Sequence, residues 1–235
     1  EIYRLDNITI YANIITFKSK DSSLGELNAR NLEGKSTINP NGGQDVLAFT
    51  GEVNVNNLNV EKYEPTLLAT ACYYYETIAG PSVCIDPNPY STVKEKKVCQ
   101  VSDITLSNQG APIAVTVINE EAFATKTQFR ITIKNVGGGD VLKSEAAYQF
   151  CDPSGAEKIA REDIDKVRLL SVRVSNNQLI CGPFVDGNVK DVSGNIRIIN
   201  GEGFIICELP NSAYTNKISA YTTPLSIRLN YGYRN

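Results

Sequence analysis

The chain contains no histidine, no methionine and no tryptophan, and its acidic and basic residues nearly cancel. Each absence removes a class of chemistry. Without imidazole there is no Ser-His-Asp or Cys-His nucleophile pair, no histidine-bearing zinc site and no side chain that shuttles protons near neutral pH. With 23 Lys+Arg against 26 Asp+Glu, no basic stripe is available to meet nucleic acid or an anionic membrane. The densest basic cluster, Lys94-Glu95-Lys96-Lys97, is interrupted by an acid and reads as a solvated turn. No apolar run approaches the roughly 18 residues of a membrane-crossing helix. The chain is therefore expected to have no nucleic-acid partner, no membrane span and no cofactor.

Carboxylates remain as a route to catalysis, since paired Asp and Glu hydrolyse glycosides without histidine. Asp103, Glu120, Glu121, Glu145, Glu162, Asp163 and Asp165 are available. They fall in no recognisable pocket motif, and the missing tryptophan removes the usual sugar platform. The chain is read as a non-enzyme. Asp186-Gly187-Asn188-Val189-Lys190-Asp191 crowds oxygen atoms into a glycine loop, as a calcium site would. It lacks the EF-hand spacing and a closing Glu, and Lys190 opposes a cation, so a plain turn is expected and no metal.

What is present is a period of two. In Gln128-Phe129-Arg130-Ile131-Thr132-Ile133-Lys134 every second side chain is apolar, the mark of a half-buried strand. The pattern recurs at Ile8, Ile10, Ala12 and Ile14, at Ile113, Val115 and Val117, and at Leu225, Ile227, Leu229, Tyr231 and Tyr233. Turn chemistry separates these runs, as in Asn41-Gly42-Gly43, Asp86-Pro87-Asn88-Pro89 and Gly137-Gly138-Gly139. Asn200-Gly201, between Asn195-Ile199 and Phe204-Cys207, predicts a hairpin. The charged stretch Glu157 to Val167, with Ile159, Ile164 and Val167 near helical spacing, predicts one short helix. The fold class expected is all-β: two immunoglobulin-like antiparallel β-sandwich domains with one short helix.

Two domains are expected because the chain echoes itself. Leu67 to Tyr75 follows Pro65, Leu225 to Tyr233 follows Pro224, and both run through alternate apolar residues to a Tyr-x-Tyr. They read as the same terminal strand of two related sheets. The boundary is placed in the Pro- and Lys-containing loop from Asp86 to Cys99, giving an N-terminal β-sandwich over 1–98 and a second over 99–235. In total about 72% of the unfolded surface can be buried at this length.

Six scattered cysteines without a Cys-x-x-Cys pair favour disulfides, hence an oxidising compartment, over a metal or redox site. Cys72, Cys84 and Cys99 precede or border the boundary, and Cys151, Cys181 and Cys207 follow it. Each set is odd, so full pairing needs a bridge across the junction. Fifteen connectivities remain open. The pairs expected are Cys181 with Cys207, both in apolar strand-like runs, and Cys84 with Cys99, closing the proline loop. The chain opens at Glu1 without a signal-like segment, which fits a processed secreted protein or a piece of a longer chain. Asn7-Ile8-Thr9 is the one N-glycosylation sequon, with Asn7 as acceptor.

The stretch from Gly110 to Leu142 reads Gly-Ala-Pro-Ile-Ala-Val-Thr-Val-Ile and then Phe129-Arg130-Ile131-Thr132-Ile133-Lys134-Asn135-Val136-Gly137. It resembles the immunoglobulin-like domains of the CARDB type, in which F-x-I-x-I-x-N-x-G enters a glycine turn. Similar domains, with Tyr-rich strands, occur in archaeal cell-surface proteins. The resemblance implies a secreted, non-catalytic adhesion or assembly module and transfers no catalytic residue.

The expected role is a structural protein of the cell surface, a homo-oligomer or homopolymer such as a pilus-like filament or surface layer. The segment Ile2 to Phe17, with Ile2, Leu5, Ile8, Ile10, Ile14 and Phe17, is long, lacks proline and suits addition to a neighbour's sheet. Its alternation slips at Ile14-Ile15, which predicts a bulge or a change of sheet there. The same strand pairing within its own domain is the competing expectation. An extracellular adhesion module with a glycan or protein partner is the alternative function, a carboxylate glycosidase the third.

Overall fold

A computed structural model describes residues 2–11, 15–19, 30–35, 38–44, 49–53, 64, 68–91, 97–146, 159–214 and 219–235. The strands are, in chain order, β1 (Ile2–Tyr11), β2 (Ile15–Ser19), β3 (Arg30–Glu33), β4 (Phe49–Val53), β5 (Leu68–Ala79) and β6 (Ser82–Ile85). Next come β7 (Ile104–Thr105), β8 (Ile113–Ala122), β9 (Lys126–Asn135), β10 (Asp140–Leu142) and β11 (Lys166–Val174). The last are β12 (Asn177–Gln178), β13 (Ile180–Gly182), β14 (Gly194–Arg197), β15 (Glu202–Pro210) and β16 (Tyr221–Arg234). The fold is all-β, with two principal antiparallel sheets.

The larger sheet runs β12-β11-β16-β5-β1-β3, with β10 and β6 also on β16 and β14 on β11. The smaller runs β13-β15-β9-β8-β7. Alternation explains how they meet. In β9, Phe129, Ile131 and Ile133 are buried while Gln128 and Arg130 point away, and in β15 Ile205, Cys207 and Leu209 point the same way. Across from them Leu225, Ile227, Leu229 and Tyr231 of β16 and Val167, Leu169 and Val172 of β11 are buried in the same cluster. Each fully buried aliphatic side chain contributes about 1.5–3 kcal/mol, so this interdigitated layer supplies the main driving force.

Several expectations change. The two Tyr-x-Tyr runs are not equivalent strands of two sheets; β5 and β16 lie side by side, with Tyr75 opposite Tyr231 and Tyr73 opposite Tyr233. Neighbouring strands share a face and therefore a pattern, which explains the echo. The boundary at 98/99 falls between β6 and β7, and residues from both sides of it enter one sheet and one core. No helix spans Glu157 to Val167 among the described residues: 161–163 form a turn, Ile164 bridges to Leu142, and Lys166 begins β11. Val167, Leu169 and Val172 gain more by facing the core as a strand than three apolar residues gain on a short charged helix. The only helical pieces described are the three-residue 3-10 turns Ser144–Ala146 and Asn211–Ala213.

The Asn200-Gly201 turn forms with positive φ at both residues, yet its arms part. Strand β14 joins the larger sheet and β15 the smaller. In β8 the register shifts between Val115 and Val117, so Val117 leaves the apolar face and Ile118 takes its place. A bulge inverts every side chain beyond it, and so Glu120, not Glu121, points into the protein.

Candidate functional site

The segment expected to mediate assembly is divided. Ile2, Leu5, Ile8 and Ile10 lie in β1, Phe17 lies in β2, and Ile14 falls outside the described residues. Strand β1 pairs antiparallel with β5 from Tyr3 opposite Tyr75 to Tyr11 opposite Leu68, with a register shift between Leu5 and Asn7. On its other side Ile2 to Leu5 pair with Glu33 to Arg30 of β3. Strand β2 instead pairs with β4, Phe17 opposite Gly51, in a separate two-stranded sheet. The expected continuous strand from Ile2 to Phe17 is thus two strands in two sheets, broken around the slip in alternation. Within the described chain, β1 lies in its own sheet. Asn7 of the sequon stands opposite Cys72 in that ladder.

Beside this slot sits a tyrosine cluster. Tyr75 and Tyr231 stack at 5.8 Å between ring centroids, and Tyr73 and Tyr233 lie at 5.7 Å. The buried Tyr231 hydroxyl lies 2.9 Å from the Thr77 hydroxyl and accepts the Ile113 amide at 3.2 Å, while Thr77 donates to the Ile113 carbonyl. These bonds tie the larger sheet to β8 of the smaller, and burial holds the Tyr231 phenol well above its ordinary pKa. Tyr233 receives the Gly139 amide at 2.6 Å and donates to Asn135 at 3.0 Å. Asn135 in turn donates to the Gly139 carbonyl. The Asn-x-Gly-Gly-Gly turn is therefore packed onto Tyr233, and a Cβ at Gly137 would meet its hydroxyl at 2.5 Å. Tyr75, Tyr231 and Tyr233 are thereby buried in the core rather than presented to solvent.

Glu120 is the residue whose weight sequence reasoning missed. It is 5% exposed. One oxygen accepts the Cys84 amide at 3.2 Å, and the other is buried without a partner among the described residues. Loss of hydration raises its pKa to about 7, partly offset by the Cys84 amide. Only the bulge at Val115–Val117 makes it inward-facing; the apolar doublet Val117-Ile118, which interrupts the alternation of Ile113, Val115 and Val117, is the sign of it in the residue order.

The cysteines staple this architecture. Cys84 is bonded to Cys99, with Cα atoms 5.8 Å apart, and Cys181 to its register partner Cys207. Cys72 is also disulfide-bonded, and Cys151 lies outside the described residues. In the entropic model, closing loops with sequence separations of 15 and 26 contributes roughly 3 kcal/mol each. The loop Asp186 to Asp191 is held by the protein's own groups: Lys166, 4% exposed, donates to Asp186 at 2.8 Å and Asn195 donates at 3.1 Å. Lys166 lowers the Asp186 pKa. Asp191 accepts from Asn188 and the Val192 amide. These carboxylates are committed to a structural turn.

Of the other carboxylates, Glu162, Asp163 and Asp165 sit around the turn before β11, and Asp103 and Glu121 border one groove on the outer face of the smaller sheet. No protein-family model, no curated protein and no solved structure matches the chain.

Proposed function

We propose that this chain is a secreted structural protein of the cell surface that polymerises by exchange of its N-terminal strand. The observation that carries the reading is the place of β1: a first strand, ten residues long, paired with β5 and β3 within the larger sheet. Because its partners lie elsewhere in the chain, the β1 of a neighbouring copy can occupy the same slot with the same register and hydrogen bonds. Such an exchange is head-to-tail, does not close on itself and yields a fibre. Because β2 pairs with β4 in a separate sheet, β1 can leave its place without breaking the β2 ladder. Disulfides at Cys84–Cys99 and Cys181–Cys207 support an oxidising, extracellular setting. The resemblance of residues 110–142 to CARDB-type immunoglobulin-like domains supports the cell-surface assignment.

Negative-stain microscopy of native material tests this. Filaments are expected, and a variant lacking residues 1–18 should stay unpolymerised until a synthetic peptide of residues 1–18 is added, which it should bind. Discrete monomers at every concentration, with no peptide binding by the truncated variant, would refute the proposal.

A further inference from the structure

The outer face of the smaller sheet carries a groove of about 480 Å³ that no part of the assembly reading uses. Its origin is the strand alternation. The residues that β8 and β9 turn away from the core meet in register there, Asn119 opposite Arg130 and Glu121 opposite Gln128. Asp103, just before β7, closes one end. At the other end a second hollow of about 200 Å³ shares Gln128 and Ile206 and is walled by Pro183, Val189 and Lys190. That wall is fixed, because its loop is anchored through Asp186 to Lys166 and through paired backbone bonds between Asp191 and Cys181.

The side chains in the groove are unspent. Among the described residues, Asp103, Asn119, Glu121 and Gln128 make no side-chain hydrogen bond or ion pair. Arg130 makes no ion pair either; its guanidinium lies 4.0 Å from the centre of the Phe204 ring, which orients the planar fork and leaves its N–H groups available. Carboxylate, amide and guanidinium groups lining one groove offer acceptors and donors together, which suits a ligand whose hydroxyls both donate and accept. Two carboxylates against one guanidinium repel an anion, and an apolar ligand would leave five polar groups unpaired. The groove crosses the face of the strands, so an extended peptide finds no sheet edge to join.

We infer that this groove, formed by Asp103, Asn119, Glu121, Gln128 and Arg130, is a binding site for a neutral saccharide. The site does not depend on strand exchange. The test is calorimetric titration of the full chain with maltotetraose, mannotetraose, chitotetraose and a heparin-derived tetrasaccharide. At least one neutral tetrasaccharide should bind saturably and the sulfated one should not. Asn119→Ala and Gln128→Ala should each weaken binding about tenfold, the loss of one or two hydrogen bonds, with unchanged melting temperature. Arg130→Lys, which keeps the charge and loses the fork, should weaken it as well. Binding of the heparin fragment alone, no binding of any neutral sugar at millimolar concentration, or binding that survives both alanine substitutions would overturn the inference. So would loss of self-association in these variants with sugar affinity intact, since the groove would then be an interface between copies.

Discussion

Replacing Glu120 by glutamine isolates the energetics of the buried carboxylate between the sheets. Its pKa in the fold is about 7 against an ordinary 4.5. Below the lower value both folded and unfolded chains carry the proton and Glu120 imposes no penalty. Between the two values the folded state binds more protons than the unfolded one, so stability falls as pH rises. Above the upper value the full penalty is present, about 3 kcal/mol from the gap in pKa. The substituted side chain keeps the shape and an oxygen for the Cys84 amide but never ionises. Its added amide hydrogens shift the variant's stability by a constant amount, which drops out of the comparison across pH. Other titrating groups also drop out, including Asp186 and Glu208, whose pKa values Lys166 and Lys126 hold down in both proteins. The stability of Glu120→Gln relative to the parent should therefore rise by about 3 kcal/mol from pH 4 to pH 8, or about 6 to 12 °C in melting temperature. Guanidinium denaturation with the disulfides intact, followed by circular dichroism at each pH, measures it. Parallel stability profiles for the two proteins would refute the reasoning.

Tyr233→Phe should cost about 1–3 kcal/mol by leaving the Gly139 amide and Asn135 without their shared hydroxyl; an unchanged denaturation midpoint would count against that anchor. Gly139→Ala should destabilise further, because its Cβ would run into the Arg234 carbonyl and the Tyr233 ring. Changing Cys181 and Cys207 together to Ser should lower stability by roughly 3 kcal/mol, read from the same denaturation curves. Non-reducing peptide maps should link Cys84 with Cys99 and Cys181 with Cys207 and show no alkylatable thiol; two or more reactive cysteines would remove the argument for an oxidising compartment.

How far residue order reaches is visible in particular elements. Alternation in Gln128 to Lys134 and in Leu225 to Tyr233 is a local property with period two, so it states which face of β9 and β16 is buried before any partner is known. The all-β class, the strands and the glycine turn after Asn135 follow from it. Pairing is not local. The likeness of Leu67–Tyr75 to Leu225–Tyr233 is compatible with equivalent strands in two sheets or with neighbours in one, because both give the same apolar face; the ladder from Tyr73–Tyr233 to Ala79–Ile227 decides. The Asn200-Gly201 turn is legible in the residue order, whereas the sheet that each arm joins depends on long-range packing. The candidate sites divide the same way. Composition alone excludes histidine chemistry and points to disulfides. The inward turn of Glu120 and the convergence of Asp103, Asn119, Gln128 and Arg130 need the tertiary structure, because a bulge and a cross-strand register bring together residues whose separation in sequence carries no sign of their contact.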